Sequence, residues 1–127
     1  MNAAIVAVQG CLKRLNDTVL NPGDIVLTTT KSAVSKAIRI ATYSDISHAM
    51  VYVEDRSVID ATGEGVHARN TQRLFFDEES AVHVLRLRDG ISDKQLIALI
   101  SHLRGHVGTQ YSAREAMLTV LGGADQW

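Results

Sequence analysis

The apolar positions of this chain change period several times, and each change marks an element. From Ala4 to Leu15, the residues Ile5, Val8, Leu12 and Leu15 recur at intervals of three, four and three, which predicts a helix with one buried face. Pro22-Gly23 then interrupts. Asp24 to Thr29 holds the short apolar run Ile25-Val26-Leu27, rich in β-formers and best read as a strand. Ser32 can cap a second helix whose stripe is Val34, Ala37, Ile38 and Ala41. Ser44 to Asp60 reads as two strands joined by the polar turn Glu54-Asp55-Arg56, and Gly63 and Gly65 mark a turn before a further strand-like piece, Val66 to Arg69. Ala81 to Arg88 alternates as a strand does, with His83, Leu85 and Leu87 on one face. Ser92 and Gln95 form a capping box before the helical stripe Leu96, Ile97, Ile100 and Leu103. Ser112 and Glu115 form another before Ala116, Met117, Val120 and Leu121, with Gly122-Gly123 as a left-handed stop.

Helices flanking a run of neighbouring strands imply an α+β fold with an antiparallel sheet rather than a parallel βαβ array. The chain has 127 residues, 46% of them apolar, which suits one domain with a real core. Thirteen Lys and Arg against fourteen Asp and Glu give a net charge of −1, with no basic run and few aromatics to stack on bases. That balance argues against nucleic acid as a partner. No apolar run approaches the ~20 residues of a membrane-spanning helix. The chain reads as soluble, with its compartment open and the cytoplasm favoured. Its one cysteine, Cys11, excludes an intrachain disulfide and leaves redox location undecided. The segment before Cys11 lacks the basic leader and the apolar length of a lipoprotein signal, so it reads as mature protein.

Candidate chemistry starts from five histidines. His102 and His106 stand four apart on one helical face, a zinc-compatible spacing, but no Glu follows His102 and neither lies on the apolar stripe; solvated surface is the plainer reading. His67 and His83 sit in strand-like segments without an acidic or thiol partner at a recognisable spacing. His48 differs. Asp60 follows it twelve residues on, inside a strand, where Asp is disfavoured and wants a partner. A carboxylate beside an imidazole fixes the ring's tautomer and stabilises its charged form, which is the support a general base uses. A half-buried salt link holding two strands together is the plainer alternative. Partnership requires both side chains on one face, and pairing Val53 with Ser57 across the turn satisfies that condition.

Read in order, Pro22-Gly-Asp-Ile-Val-Leu27, Ser44-Asp-Ile-Ser-His-Ala-Met-Val-Tyr52, Val58-Ile-Asp-Ala61, Gly63-Glu-Gly-Val66 and Gly108-Thr-Gln-Tyr-Ser112 resemble the permuted papain-like amidases. These belong to the NlpC/P60 superfamily and include YiiX-type proteins and the lecithin:retinol acyltransferase relatives. The resemblance covers nearly all of Pro22 to Ser112. It implies a papain-like α+β domain in permuted order and thiol-dependent hydrolysis or transfer of an acyl group at an amide or ester. His48 would be general base and then general acid, and Asp60, at the position of the family's second polar residue, would orient it. No metal or organic cofactor is implied. Cell-wall peptides, lipid amides and acyl esters all fit such a scaffold as substrates.

The family's nucleophile is a cysteine at the start of a helix after the Gly-x-x-Tyr segment, where the helix N-terminus and an imidazolium lower its pKa. This chain has no cysteine beyond residue 11. Three explanations stand: the thiol lies beyond Trp127 in a longer protein, the chain is an inactive ligand-binding member, or Cys11 serves. Against Cys11 stands its predicted place inside an amphipathic helix. If a further helix is missing, Met117, Val120 and Leu121 would be left exposed, and self-association could hide them.

Overall fold

A computed structural model of the chain describes residues 5–9, 12–29, 48–76 and 80–110. Its main sheet has five antiparallel strands: β3 (Ile25–Thr28), β4 (His48–Glu54), β5 (Ser57–Thr62), β6 (Gly65–Asn70) and β7 (Val82–Leu85). The order is β6-β5-β4-β3-β7, a meander from β3 to β6 with β7 returned to the other side of β3. With helix α1 (Asp93–His106) beside it, this is the expected α+β fold built on an antiparallel sheet. The expected helix from Ser32, the helix after Ser112 with Met117, Val120 and Leu121, and Cys11 itself lie outside the described residues.

One element differs in kind from expectation. The helix predicted over Ala4 to Leu15 is instead an antiparallel pair, β1 (Ile5–Gln9) and β2 (Leu12–Leu15). Ile5, Val6 and Val8 are β-branched, and Gly10 in mid-helix would cost about 1 kcal/mol. In so short a run, apolar spacings of three and four do not outweigh those preferences. β2 is bonded in turn to the chain after β6, through Lys13 N–H to the Phe76 carbonyl and Phe76 N–H to the Lys13 carbonyl, both 2.7 Å.

The β4–β5 register carries Met50 opposite Asp60, Val51 opposite Ile59 and Tyr52 opposite Val58, which is the parity expected. At the turn the details differ: Glu54, not Val53, faces Ser57, and a bulge at Val53 absorbs the difference. The turn itself is Asp55-Arg56, both at positive φ. Because the bulge removes one residue from the ladder and the shorter turn removes another, the rungs beyond are unchanged.

With period two, His48, Met50 and Tyr52 share a face of β4, and the rungs extend that face to Thr28 and Val26 on β3, Val82 and Val84 on β7, Val58 and Asp60 on β5, and His67 and Arg69 on β6. Its middle is the core, where Val26, Met50, Tyr52, Val58 and Val82 pack with Leu15, Leu20, Leu74 and Phe76. Full burial of such side chains stabilises by about 1.5–3 kcal/mol each. The same face is polar at the end where His48 begins β4. On β7 the expected face of His83 and Leu85 is the exposed one, and Val82 and Val84 point inward.

Helix α1 starts on the predicted capping box: the Ser92 hydroxyl accepts from Gln95 N–H at 3.1 Å, and the Gln95 side chain accepts from Ser92 N–H at 3.0 Å. Leu96, Leu99, Ile100 and Leu103 form its half-buried stripe, while Ile97 is 69% exposed, being a full 100° round the helix from Leu96. Beyond the helix, Gly108 N–H donates to the Val66 carbonyl and Val66 N–H to the Thr109 carbonyl, both at 2.8 Å, so the chain docks against the edge of β6.

Candidate active site

The polar end of the core face gathers one carboxylate and three basic side chains. His48 opens β4, Asp60 lies on β5, and His67 and Arg69 lie on β6. His48 Nε2 is 2.7 Å from Asp60 Oδ2. Arg69 approaches the same carboxylate with two donors, Nε to Oδ1 at 3.1 Å and Nη2 to Oδ2. His67 Nε2 stands 3.3 Å from Asp60 Oδ1 and also 3.3 Å from the Thr62 hydroxyl.

The Asp60 side chain is fully buried, whereas His48 keeps 20% of its side chain accessible. Burial alone would raise the Asp60 carboxyl, but the hydrogen bonds from His48 and Arg69, with the charge of Arg69 beside it, outweigh that and hold it below the usual carboxylate range. An ionised carboxylate only accepts, so the hydrogen between the two residues belongs to His48 Nε2. That leaves Nδ1 with its lone pair for a second partner. On the far side of His48, in the rung between β3 and β4, stands Thr28, fully buried, with a hydroxyl that has no hydrogen-bond partner among the described residues.

The two residues singled out from sequence are thus in direct contact, and two others join them. His67 does have an acidic partner, contrary to expectation. The signal was present in the turn: Thr62 pairs with Gly65 across Gly63-Glu64, and counting back two rungs sets Asp60 opposite His67. Arg69 faces Val58 and reaches Asp60 diagonally, a contact that depends on side-chain length as well as register. His83 is exposed. His102 and His106 are exposed on α1, with ring centroids 4.5 Å apart, and among the described residues no group of three or more His, Cys, Asp or Glu is placed to hold a metal. Nor is any helix among them long and apolar enough to cross a membrane.

Cys11 lies outside the described residues; the residues on either side, Ile5–Gln9 and Leu12–Leu15, are strand.

An antiparallel sheet flanked by a helix, with a histidine at the start of one strand bonded to a carboxylate on the next, is the arrangement that the sequence resemblance implies. Residues 19–116 match the family described as "Permuted papain-like amidase enzyme, YaeF/YiiX", and the chain belongs to that family. It is 28% identical over 78 residues to "Probable lipoprotein peptidase YaeF" of Escherichia coli (strain K12), covering 61% of this chain and 28% of that protein. It is 29% identical over 92 residues to "Uncharacterized protein YiiX" of the same strain, covering 70% of this chain and 46% of that one. The chain therefore spans less than half the length of the curated relatives it matches. No solved structure matches it.

Proposed function

We propose that the protein acts as a thiol-dependent amidase, peptidase or acyl transferase, with His48 carrying the proton and Asp60 orienting it. The observation that supports this best is the 2.7 Å contact between His48 Nε2 and a fully buried Asp60, which leaves Nδ1 of a partly accessible ring as the working nitrogen. In the reaction, Nδ1 takes the proton of a thiol, and the thiolate sulfur bonds to the carbonyl carbon of an amide or ester. The imidazolium then returns its proton to the leaving amine or alcohol as the carbon–nitrogen or carbon–oxygen bond breaks. Water or another acceptor, deprotonated by the same nitrogen, releases the acyl group and restores the thiol. Backbone N–H groups near the nucleophile would hold the oxyanion.

The thiol we assign to a cysteine beyond Trp127, with Cys11 as the rival the experiment must separate. The 127-residue chain and a protein continued past Trp127 are assayed on fluorogenic amides and thioesters, each with and without Cys11→Ala. Turnover confined to the longer protein and indifferent to Cys11→Ala is the expected result. His48→Ala should lower kcat there by at least about 10²-fold, the usual share of a positioned acid–base group, and Asp60→Asn should cost less. Turnover by the short chain that disappears with Cys11→Ala assigns the thiol to Cys11 instead. Ligand binding by both proteins with turnover by neither would make the domain an inactive binding module and overturn the catalytic reading.

A further inference from the structure

We propose that Arg69 is a positioning residue for His48, acting through Asp60: its guanidinium fork fixes the carboxylate's orientation and with it the direction in which the imidazole donates. The inference rests on the catalytic reading of His48 above, and extends it to a strand that neither the hairpin motif nor the family resemblance brought into the site.

The geometry supplies the argument. Each carboxylate oxygen of Asp60 receives one Arg69 donor, Nε on Oδ1 and Nη2 on Oδ2. A two-pronged contact of this kind fixes the plane of the carboxylate as well as its position. Oδ2 is also the oxygen that meets His48 Nε2, so the direction in which it accepts from the imidazole is set from β6. Three successive strands thus contribute one group each to a single line: His48 from β4, Asp60 from β5, Arg69 from β6.

The test reads His48 itself and needs no turnover. The imidazole ¹⁵N resonances of His48 are recorded in the 127-residue chain and in Arg69→Gln and Arg69→Lys, with circular dichroism as the check on folding. Both variants lose the two-pronged contact, so the share of the Nε2-protonated tautomer should fall in each. A tautomer ratio equal to the parent's in folded Arg69→Lys overturns the proposal, and so does the same result in folded Arg69→Gln. Because these readouts are spectroscopic, they succeed or fail independently of whether His48→Ala abolishes hydrolysis.

Discussion

Asp24 and Arg86, 62 positions apart in the chain, are joined by two hydrogen bonds, Nε to Oδ1 at 2.8 Å and Nη2 to Oδ2 at 2.7 Å. Asp24 is buried, and its Oδ2 also accepts from Asn21 N–H at 2.8 Å. Its own carbonyl accepts from Tyr52 N–H at 2.9 Å, and the neighbouring Gly23 N–H donates to the Tyr52 carbonyl at 2.8 Å. The aspartate of the Pro-Gly-Asp motif therefore joins the start of β3 to β4 and to the end of β7, at the opposite end of β4 from His48. Its role is structural, and the end of the sheet it secures keeps β3 in register with β4.

The acid stability of the fold should depend on this carboxylate. Burial would raise the Asp24 carboxyl, but the Arg86 hydrogen bonds, the Asn21 amide and the Arg86 charge lower it overall. A folded-state pKa below the unfolded value of about 3.9 means that the unfolded chain binds more protons as the pH falls through that window. The stabilisation is thus complete above the unfolded value and drains away as the pH drops towards the folded one. Asp24→Asn should lower the thermal midpoint at neutral pH, and the gap to the parent should close on titration below pH 4. A gap of constant size from pH 7 to pH 2.5 would show that the carboxylate's charge is not what stabilises.

Thr28 gives a second prediction. Its hydroxyl is buried beside His48 with no hydrogen-bond partner among the described residues, a situation that costs about 1–3 kcal/mol. Thr28→Val replaces the hydroxyl with a methyl of similar size and should raise stability by about 1 kcal/mol in a denaturant titration. A fall in stability would mean that the hydroxyl has a partner in solution.

How much of this was legible in the sequence depends on the range of the interaction that decides each feature. The β4–β5 hairpin and α1 were readable because local signals fix them, a polar turn between alternating runs in one case and the Ser92–Gln95 box in the other. The Asp60–His48 contact was readable because parity alone puts both on one face. The hairpin at Ile5 to Leu15 is not legible in its apolar spacing, which follows the helical period; the β-branched residues oppose that period, and the pairing of Lys13 with Phe76, 63 positions on, leaves no local mark. Arg69 is not legible for a related reason: its place depends on the β5–β6 register and on a diagonal reach of the side chain. Neither leaves a mark in local spacing.

The docking of the segment after α1 should depend on Gly65. Its φ is +112°, and a Cβ there would stand 2.7 Å from the Thr109 carbonyl oxygen, which is backbone and is held by Val66 N–H at 2.8 Å. The backbone conformation alone costs a non-glycine residue about 1–3 kcal/mol, and the clash adds to it. Gly65→Ala should therefore lower stability by more than about 1 kcal/mol and speed hydrogen exchange at the Val66 amide, whose acceptor is displaced. Unchanged exchange at Val66 would show that the segment after α1 accommodates the methyl without leaving β6.

The turn between β4 and β5 offers the opposite case, a site where glycine should help. Asp55 and Arg56 have φ of 49° and 60°, the left-handed values that a two-residue turn needs to match the twist of its strands. For an L-residue this conformation costs about 1–2 kcal/mol, less for Asp, whose side chain tolerates it, than for Arg. What the Arg56 side chain contributes in return is a contact from Nε to Asp17 Oδ2 at 3.7 Å, on a side chain 59% exposed, and such surface pairs add little. The bonds that pin the turn, Arg56 N–H to the Tyr52 hydroxyl at 3.2 Å and Thr71 N–H to the Arg56 carbonyl at 2.8 Å, use backbone atoms and survive substitution. Arg56→Gly should thus stabilise the protein by about 0.5–1 kcal/mol, the relief of the left-handed strain less the larger entropy glycine gives the unfolded chain. Asp55→Gly should gain less. Denaturant midpoints for the two variants check the order, and a loss of stability in Arg56→Gly would show that the guanidinium's contact with Asp17 outweighs the backbone term.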